Sequence, residues 1–121
     1  MAVDLSIPVL VVHDYPTMGS IVTNVLRQIG FAHIEGANGP KALRKLRDKA
    51  YGLVISDDAM APMSGEELLR AIRAKPKTAR MPFLLLSSQD NAARAASREH
   101  IVAKPFNART LQDKIAAVLQ N

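Results

Sequence analysis

Short apolar runs alternate along the chain with segments in which apolar residues recur every three or four positions. The runs are IPVLVV, FAHIEGA, LVIS, MPFLLLS and HIVA, and each has the length and composition of a β-strand. The segments that follow them have the spacing of amphipathic helices. This alternation predicts repeated units of strand, helix and strand.

Five helices are predicted, one after each strand. The first runs from Pro16 to Ile29 and stops at Gly30. The second follows Asn38 as its cap, and the third begins with Ser64 and Glu67 in the spacing of a capping box. The fourth has only alanines for an apolar face and should be short. These later helices lie in PKALRKLRDKA, SGEELLRAIRA, QDNAARAASRE and NARTLQDKIAAVLQ.

The alternation predicts an α/β fold with an open, doubly wound parallel sheet. The first strand, residues 7–12, is apolar on both faces, as expected for a central strand covered by helices on each side. Right-handed crossovers allow few other arrangements of five strands and five helices. In such sheets the ligand site lies beyond the carboxyl ends of the strands, so we expect the functional residues there.

Composition limits the kinds of protein that this sequence can encode. With 121 residues, 48% hydrophobic content and no cysteine, we expect a single domain over residues 1–121 without disulfides or thiolate metal sites. No apolar run approaches the roughly 20 residues that span a membrane, and no secretory signal is evident at the start. We therefore expect a cytoplasmic protein without membrane insertion. The net charge of +5 favours either solubility or an anionic partner.

Polar side chains follow four of the predicted strands. Carboxylates suit a hard cation such as Mg²⁺, which keeps several waters and often bridges to phosphate. A serine can donate a hydrogen bond, and a lysine can contact an oxyanion. Because parallel strands end at one edge of the sheet, these groups should converge there. They are His13, Asp14, Asp57, Asp58, Ser87, Ser88 and Lys104.

Four stretches carry a resemblance to a known family: VLVVHDYPTM, YGLVISDDAMAPMSGEELL, MPFLLLSS and IVAKPFNARTLQDKI. Together they resemble the receiver domain of two-component response regulators, particularly the stand-alone CheY-like type. The resemblance covers essentially the whole chain. It implies a flavodoxin-like fold with five parallel strands in the order 2-1-3-4-5 and five helices.

The resemblance also implies roles for individual residues. Asp57 would be the phosphoacceptor, and Asp14, Asp57 and the backbone carbonyl of Ala59 would hold Mg²⁺. Ser87 would be the switch hydroxyl, and Lys104, with a cis bond to Pro105, would contact the phosphoryl group. The implied partners are a histidine kinase or phosphotransfer protein and a target such as a flagellar motor component.

Two positions depart from the family pattern at the site and the switch. His13 stands where receivers usually have an acid, which should weaken Mg²⁺ binding and make it steeper in pH. Ile101 stands where an aromatic residue usually rotates with the switch hydroxyl. An isoleucine can pack there but has no hydroxyl to report phosphorylation.

The predicted fourth helix also departs from the pattern. Ser87 and Lys104 are 17 positions apart, which is roughly four to six fewer than the resemblance implies, so this helix is expected to be shorter by more than one turn of about 3.6 residues. Arg94 and Arg98 lie four positions apart on it, and guanidinium groups can both pair with phosphates and stack on bases. CheY-like proteins with a shortened, arginine-bearing fourth helix resemble this one and bind cyclic di-GMP.

Two functions therefore stay open. The first is a single-domain response regulator, in chemotaxis or motility control, that is phosphorylated on Asp57 and docks on a partner. The second is a degenerate receiver that binds cyclic di-GMP through Arg94 and Arg98. We do not expect DNA binding, because the sequence shows no helix-turn-helix domain and only 4% of its residues are aromatic. We expect no enzymatic turnover beyond the receiver's own phosphorylation and dephosphorylation.

Overall fold

The computed structural model describes residues 3–88 and 100–119. Five strands and four helices lie in this part of the chain. In chain order they are β1 (Val9–Val12), α1 (Pro16–Ile29), β2 (Ile34–Ala37), α2 (Gly39–Asp48), β3 (Leu53–Asp57), α3 (Gly65–Arg73), β4 (Phe83–Ser88), β5 (His100–Lys104) and α4 (Ala108–Leu119). The predicted helix in QDNAARAASRE lies outside the described residues, so four of the five expected helices are observed.

The five strands form one parallel sheet in the order β2-β1-β3-β4-β5. This is the predicted order. Because the side chains of a strand alternate between its two faces, β1 contributes to both layers of the core. Val9 and Val11 pack with α1 and α4, whereas Leu10 and Val12 pack with α2 and α3.

Local sequence signals set the helix ends. Pro16 is the first residue of α1, and Gly30 after it has a φ of 121°, a conformation that glycine adopts easily. The Asn38 side chain accepts a hydrogen bond from the backbone N–H of Lys41 at the start of α2. Ser64 and Glu67 form the predicted capping box of α3. These caps satisfy backbone N–H groups that the helices leave unpaired.

One apolar residue of α1 is not in the core. The spacing of three and four positions predicts an apolar face with Met18, Ile21, Val22, Val25, Leu26 and Ile29. Val22, Val25 and Leu26 are buried, but Ile21 is 47% exposed. The reason is that Ile21 lines a surface groove instead of packing on the sheet. Among the helices described, none is long and apolar enough to cross a membrane.

Candidate phosphoacceptor site at the carboxyl edge of the sheet

The polar residues predicted to converge lie at one edge of the sheet. Asp57 is the last residue of β3, Ser87 and Ser88 end β4, and Lys104 ends β5. Asp14 follows β1 by two positions. The strands are parallel and adjacent, and Ser88 is paired in register with Lys104. The fold therefore brings the ends of β1, β3, β4 and β5 together.

Asp57 forms the centre of this edge. Its side chain is 4% exposed, and its Oδ1 accepts hydrogen bonds from Lys104 Nζ at 2.6 Å and from the backbone N–H of Asp58 at 3.0 Å. In the described part of the chain, its second oxygen, Oδ2, accepts no hydrogen bond. The buried carboxylate is thus neutralised on one side by a lysine and has one oxygen available for a reaction.

Asp14 holds the loop between β3 and α3. Its Oδ2 accepts a hydrogen bond from the backbone N–H of Ala61 at 2.7 Å, which ties the end of β1 to this loop. Ala61–Pro62 is a cis peptide bond, and so is Lys104–Pro105, as the resemblance implies for the latter.

The arrangement fits a hard cation that keeps part of its water shell. No group of three or more His, Cys, Asp or Glu side chains is placed to hold a metal within residues 3–88 and 100–119. A cation at this edge would therefore need water and carbonyl oxygens in addition to Asp14 and Asp57, and the Ala59 carbonyl lies in the same loop. Mg²⁺ is bound in this way, through one or two carboxylates and several waters.

Asp58 connects three elements, a role that the sequence interpretation missed. Its Oδ2 accepts a hydrogen bond from the Ser87 hydroxyl at 3.3 Å, and its Oδ1 accepts one from the backbone N–H of Glu66 at 3.1 Å. Its backbone carbonyl accepts from Met60 and Gly65. The end of β4, the loop after β3 and the start of α3 are therefore joined through one residue. The only sequence signal was a second acid directly after Asp57.

Gly65 allows α3 to begin directly against this loop. A Cβ atom at this position would lie 2.3 Å from the Asp57 carbonyl oxygen and 2.9 Å from the Asp58 Cα. Both are backbone atoms, so they cannot move aside as the end of a side chain could. A side chain at residue 65 would thus displace the backbone that carries Asp57.

The His13 ring lies between α1 and β2. An ideal Cβ on Gly19 would be 2.2 Å from its Nε2, and one on Gly36 would be 3.6 Å from it. The ring therefore occupies space that a side chain at residue 19 would need. Its Nδ1 is buried and has no hydrogen-bond partner among the described residues. The sequence showed the unusual histidine but not the two glycines that make room for it.

The other predicted functional residues are Ile101, Arg94 and Arg98. Ile101 is half-buried and packs beside the core layer under α2 and α3, so it has a packing contact and no polar one. Arg94 and Arg98, the predicted nucleotide-binding residues, lie outside the described residues.

A mostly apolar groove of about 430 Å³ adjoins the site. Lys104, which is bound to Asp57, and Ser88 line one side of it. The remaining lining residues come from α1 and from the segment after β5, namely Met18, Ile21, Pro105 and Phe106. A molecule that delivers a group to Asp57 would therefore meet an apolar surface beside it.

Comparison with known proteins places this geometry in a family. The sequence profile of the response regulator receiver domain matches residues 9–116. The chain is 33% identical over 119 residues to the chemotaxis protein CheY of Pseudomonas aeruginosa PAO1, with 93% of this chain and 95% of the relative covered.

Solved structures agree with this assignment. The chemotaxis response regulator CheY4 of Vibrio cholerae is 28% identical and superposes with a TM-score of 0.83, covering 94% of this chain and 99% of that one. The receiver domain of a Pseudomonas aeruginosa PAO1 sensor histidine kinase, solved with a magnesium ion in its active site cleft, is 24% identical, has a TM-score of 0.82 and covers 96% and 99%. This second likeness shows the shared fold. The chain belongs to the response regulator receiver domain family and is CheY-like.

Proposed function

We propose that this protein is a single-domain response regulator that signals through Mg²⁺-dependent phosphorylation of Asp57, in chemotaxis or motility control. The observation that carries the proposal is the environment of Asp57. This buried carboxylate has one oxygen bound to Lys104 at 2.6 Å and one without a hydrogen-bond partner among the described residues. An aspartate carboxylate can act as a nucleophile and form an aspartyl phosphate.

The reaction is a phosphoryl transfer to Asp57. Its free Oδ2 forms a bond to phosphorus while the bond between phosphorus and the donor breaks, and the donor leaves with that electron pair. Lys104 lies where it can neutralise negative charge on the equatorial oxygens, and such electrostatic stabilisation is the main contribution of proteins to phosphoryl transfer. When bound by Asp14, Asp57 and the Ala59 carbonyl, Mg²⁺ supplies further positive charge beside these oxygens.

The Ser87 hydroxyl couples this reaction to the rest of the domain. Without a phosphoryl group it donates to Asp58. A phosphoryl oxygen on Asp57 is a strong competing acceptor, and a charge-assisted hydrogen bond to it is stronger than a neutral one. Ser87 would then leave Asp58, and the end of β4 would move with it, which is the kind of local change that receiver switches use.

Receiver domains interact with histidine kinases and phosphotransfer proteins. The groove beside Lys104, with Met18, Ile21 and Phe106, supports a donor of this type, because a protein that brings a phosphohistidine to Asp57 would cover it. The CheY relatives support an output in chemotaxis, and a flagellar motor component is the target that the sequence resemblance implies.

Small-molecule phosphorylation tests the proposal. The purified protein is incubated with acetyl phosphate and Mg²⁺, and the added mass is measured. We expect one phosphoryl group on the wild type, none on Asp57→Asn, and one on Asp58→Asn, the matched control at the neighbouring acid. Labelling that persists in Asp57→Asn would show that another residue is the acceptor.

A further inference from the structure

The α2 and α3 side of the molecule carries most of its positive charge. Residues 41–80, which include both helices and the segment after α3, hold ten of the sixteen Lys and Arg residues and five of the eleven Asp and Glu residues. Two of those five acids, Asp57 and Asp58, belong to the site at the sheet edge. On the opposite side of the sheet, α1 and α4 hold three cations, Arg27, Arg109 and Lys114.

A small pocket lies between α2 and α3 within this basic side. It has a volume of about 60 Å³, and we call it the α2–α3 pocket. Its floor is formed mainly by four aliphatic side chains, Leu43, Leu46, Ala71 and Ile72, and its rim carries three cations, Arg47, Lys75 and Lys77. A ligand that fills this pocket therefore needs an apolar group to contact the floor and a negatively charged group to contact the rim.

The floor accepts only an apolar group. Leu46 and Ile72 are almost completely buried, and the one polar side chain there, Thr78, already donates its hydroxyl hydrogen bond to the Ile72 carbonyl at 2.7 Å. The volume is about that of two water molecules, each of which takes roughly 30 Å³ in the liquid. The tip of one aliphatic side chain fits this space, and burying it would contribute favourably.

The rim favours negative charge. Lys75 is exposed, and its side-chain ammonium group has no partner in the described part of the chain. Lys77 donates to the Arg47 carbonyl at 2.6 Å, which fixes the segment after α3 on the end of α2 and keeps the pocket formed. No acidic residue is among the described residues that line the pocket. Arg47 is paired with Asp48, and that pair is well exposed.

We propose that the α2–α3 pocket binds an acidic segment of a partner protein, with one aliphatic side chain in the floor and carboxylates beside Lys75 and Lys77. A nucleic acid fits less well, because residues 41–80 contain a single aromatic residue, Tyr51, which is buried and cannot stack on bases. This interaction is separate from phosphorylation of Asp57, since none of the lining residues belongs to that site.

A selection from random linear peptides displayed on phage tests the proposal. The target is the wild-type protein, and individual selected peptides are then synthesised and titrated. We expect selected sequences to share an aliphatic residue flanked by Asp and Glu. Filling the floor with Ala71→Leu should weaken binding about tenfold, or about 1.4 kcal/mol, and Lys75→Glu should have an effect of similar size. Lys114→Glu on α4, with the same charge change, should leave binding within a factor of about two.

Each other outcome would overturn the proposal. Selected peptides without acids, or no selected peptides, would show that the basic rim recruits nothing of this kind. Equal binding to Ala71→Leu and the wild type, with unchanged thermal unfolding of the variant, would place the peptide elsewhere. A single-stranded oligonucleotide that binds more tightly than the peptides and depends on Lys75 would assign the surface to nucleic acid.

Discussion

The Ser87 hydroxyl donates a hydrogen bond to Oδ2 of Asp58 at 3.3 Å, while Asp57, the adjacent acid, is bound to Lys104. The two consecutive acids therefore face different partners. Asp57 is paired with the Lys104 ammonium group. Asp58 accepts a hydrogen bond from Ser87, whose hydroxyl is predicted to act as the switch. The structure thus contains a specific contact that the proposed phosphorylation of Asp57 would have to break.

The first prediction concerns the energy of that contact. Asp58→Ala removes the acceptor for Ser87 and for the Glu66 N–H at the start of α3, so it should lower the free energy of unfolding by about 1 to 2 kcal/mol. Urea denaturation of Asp58→Ala, Ser87→Ala and the double variant gives the coupling, which we expect at about 0.5 to 1 kcal/mol. A coupling near zero would mean that the two side chains share no hydrogen bond in solution.

Gly65 gives a prediction on stability and activity together. Gly65→Ala forces a Cβ against backbone atoms of Asp57 and Asp58 and should cost about 1 to 3 kcal/mol, with slower phosphorylation by acetyl phosphate. Gly36→Ala is the matched control, because its nearest neighbours would be at ordinary contact distance, 3.6 and 3.9 Å. Thermal unfolding compares the two variants, and an equal loss in both would refute the steric explanation.

Glu35 gives a prediction on acid stability. Hydrogen bonds from Lys49, Lys45 and Tyr51 lower the pKa of Glu35 from 4.5 to about 2, so the folded state favours the charged form. The contribution of the Glu35 charge to the free energy of unfolding is present above pH 4.5 and is lost as the pH falls towards 2. Because the group is partly exposed, we expect it to amount to about 1 kcal/mol.

The measurement compares unfolding free energies of the wild type and Glu35→Gln across that range. The difference between them should shrink from pH 5 to pH 2. Asp113→Asn on α4 is the matched control for the loss of one exposed carboxylate without a described partner. A difference that stays constant with pH would show that the negative charge of Glu35 does not stabilise the folded state.

His13 gives a prediction on metal affinity. A carboxylate at this position is a better ligand for a hard cation than an imidazole, so His13→Asp should tighten Mg²⁺ binding about tenfold at neutral pH. Calorimetric titration measures this directly, and Asp14→Asn should weaken binding in the same assay. Unchanged affinity in His13→Asp would mean that residue 13 points only into the space between Gly19 and Gly36.

The cyclic di-GMP alternative has its own test. If Arg94 and Arg98 contact the nucleotide, each charge-assisted contact contributes about 1.5 to 3 kcal/mol, and Arg98→Ala should weaken binding at least about tenfold. Asp57→Asn should bind normally, because the predicted arginine site does not use Asp57. No binding by the wild type at tens of micromolar, roughly −6 kcal/mol, would exclude this function.

Features encoded over a few residues were predictable from the sequence. The five strands and the starts of α1, α2 and α3 depend on local periodicity and on Pro16, Asn38 and Ser64, and these predictions are confirmed. The first strand is shorter than predicted, Val9–Val12 instead of residues 7–12. The convergence of Asp14, Asp57, Ser87 and Lys104 was also predictable, because parallel strands share one carboxyl edge and each residue ends or follows a strand.

Contacts among residues far apart in sequence were not predictable in the same way. The hydrogen bond from Ser87 to Asp58 depends on how β4 lies beside the loop after β3, and a single sequence contains no signal for its partner. The position of the His13 ring depends on two glycines, Gly19 in α1 and Gly36 in β2. Their proximity to the ring is visible only in the folded structure. Ile21 has a helical spacing typical of the core, yet it lies over a groove.

The uneven charge of the two faces also has a kinetic consequence. A molecule whose cations are concentrated over residues 41–80 has a more positive electric potential on that side, and an anionic protein that diffuses towards it is turned to the α2 and α3 side before any contact forms. Such steering acts on the association rate constant and is screened by salt, whereas the dissociation rate constant depends on short-range contacts. Charge reversal at an exposed position such as Lys75 should thus slow association far more at low ionic strength than at high.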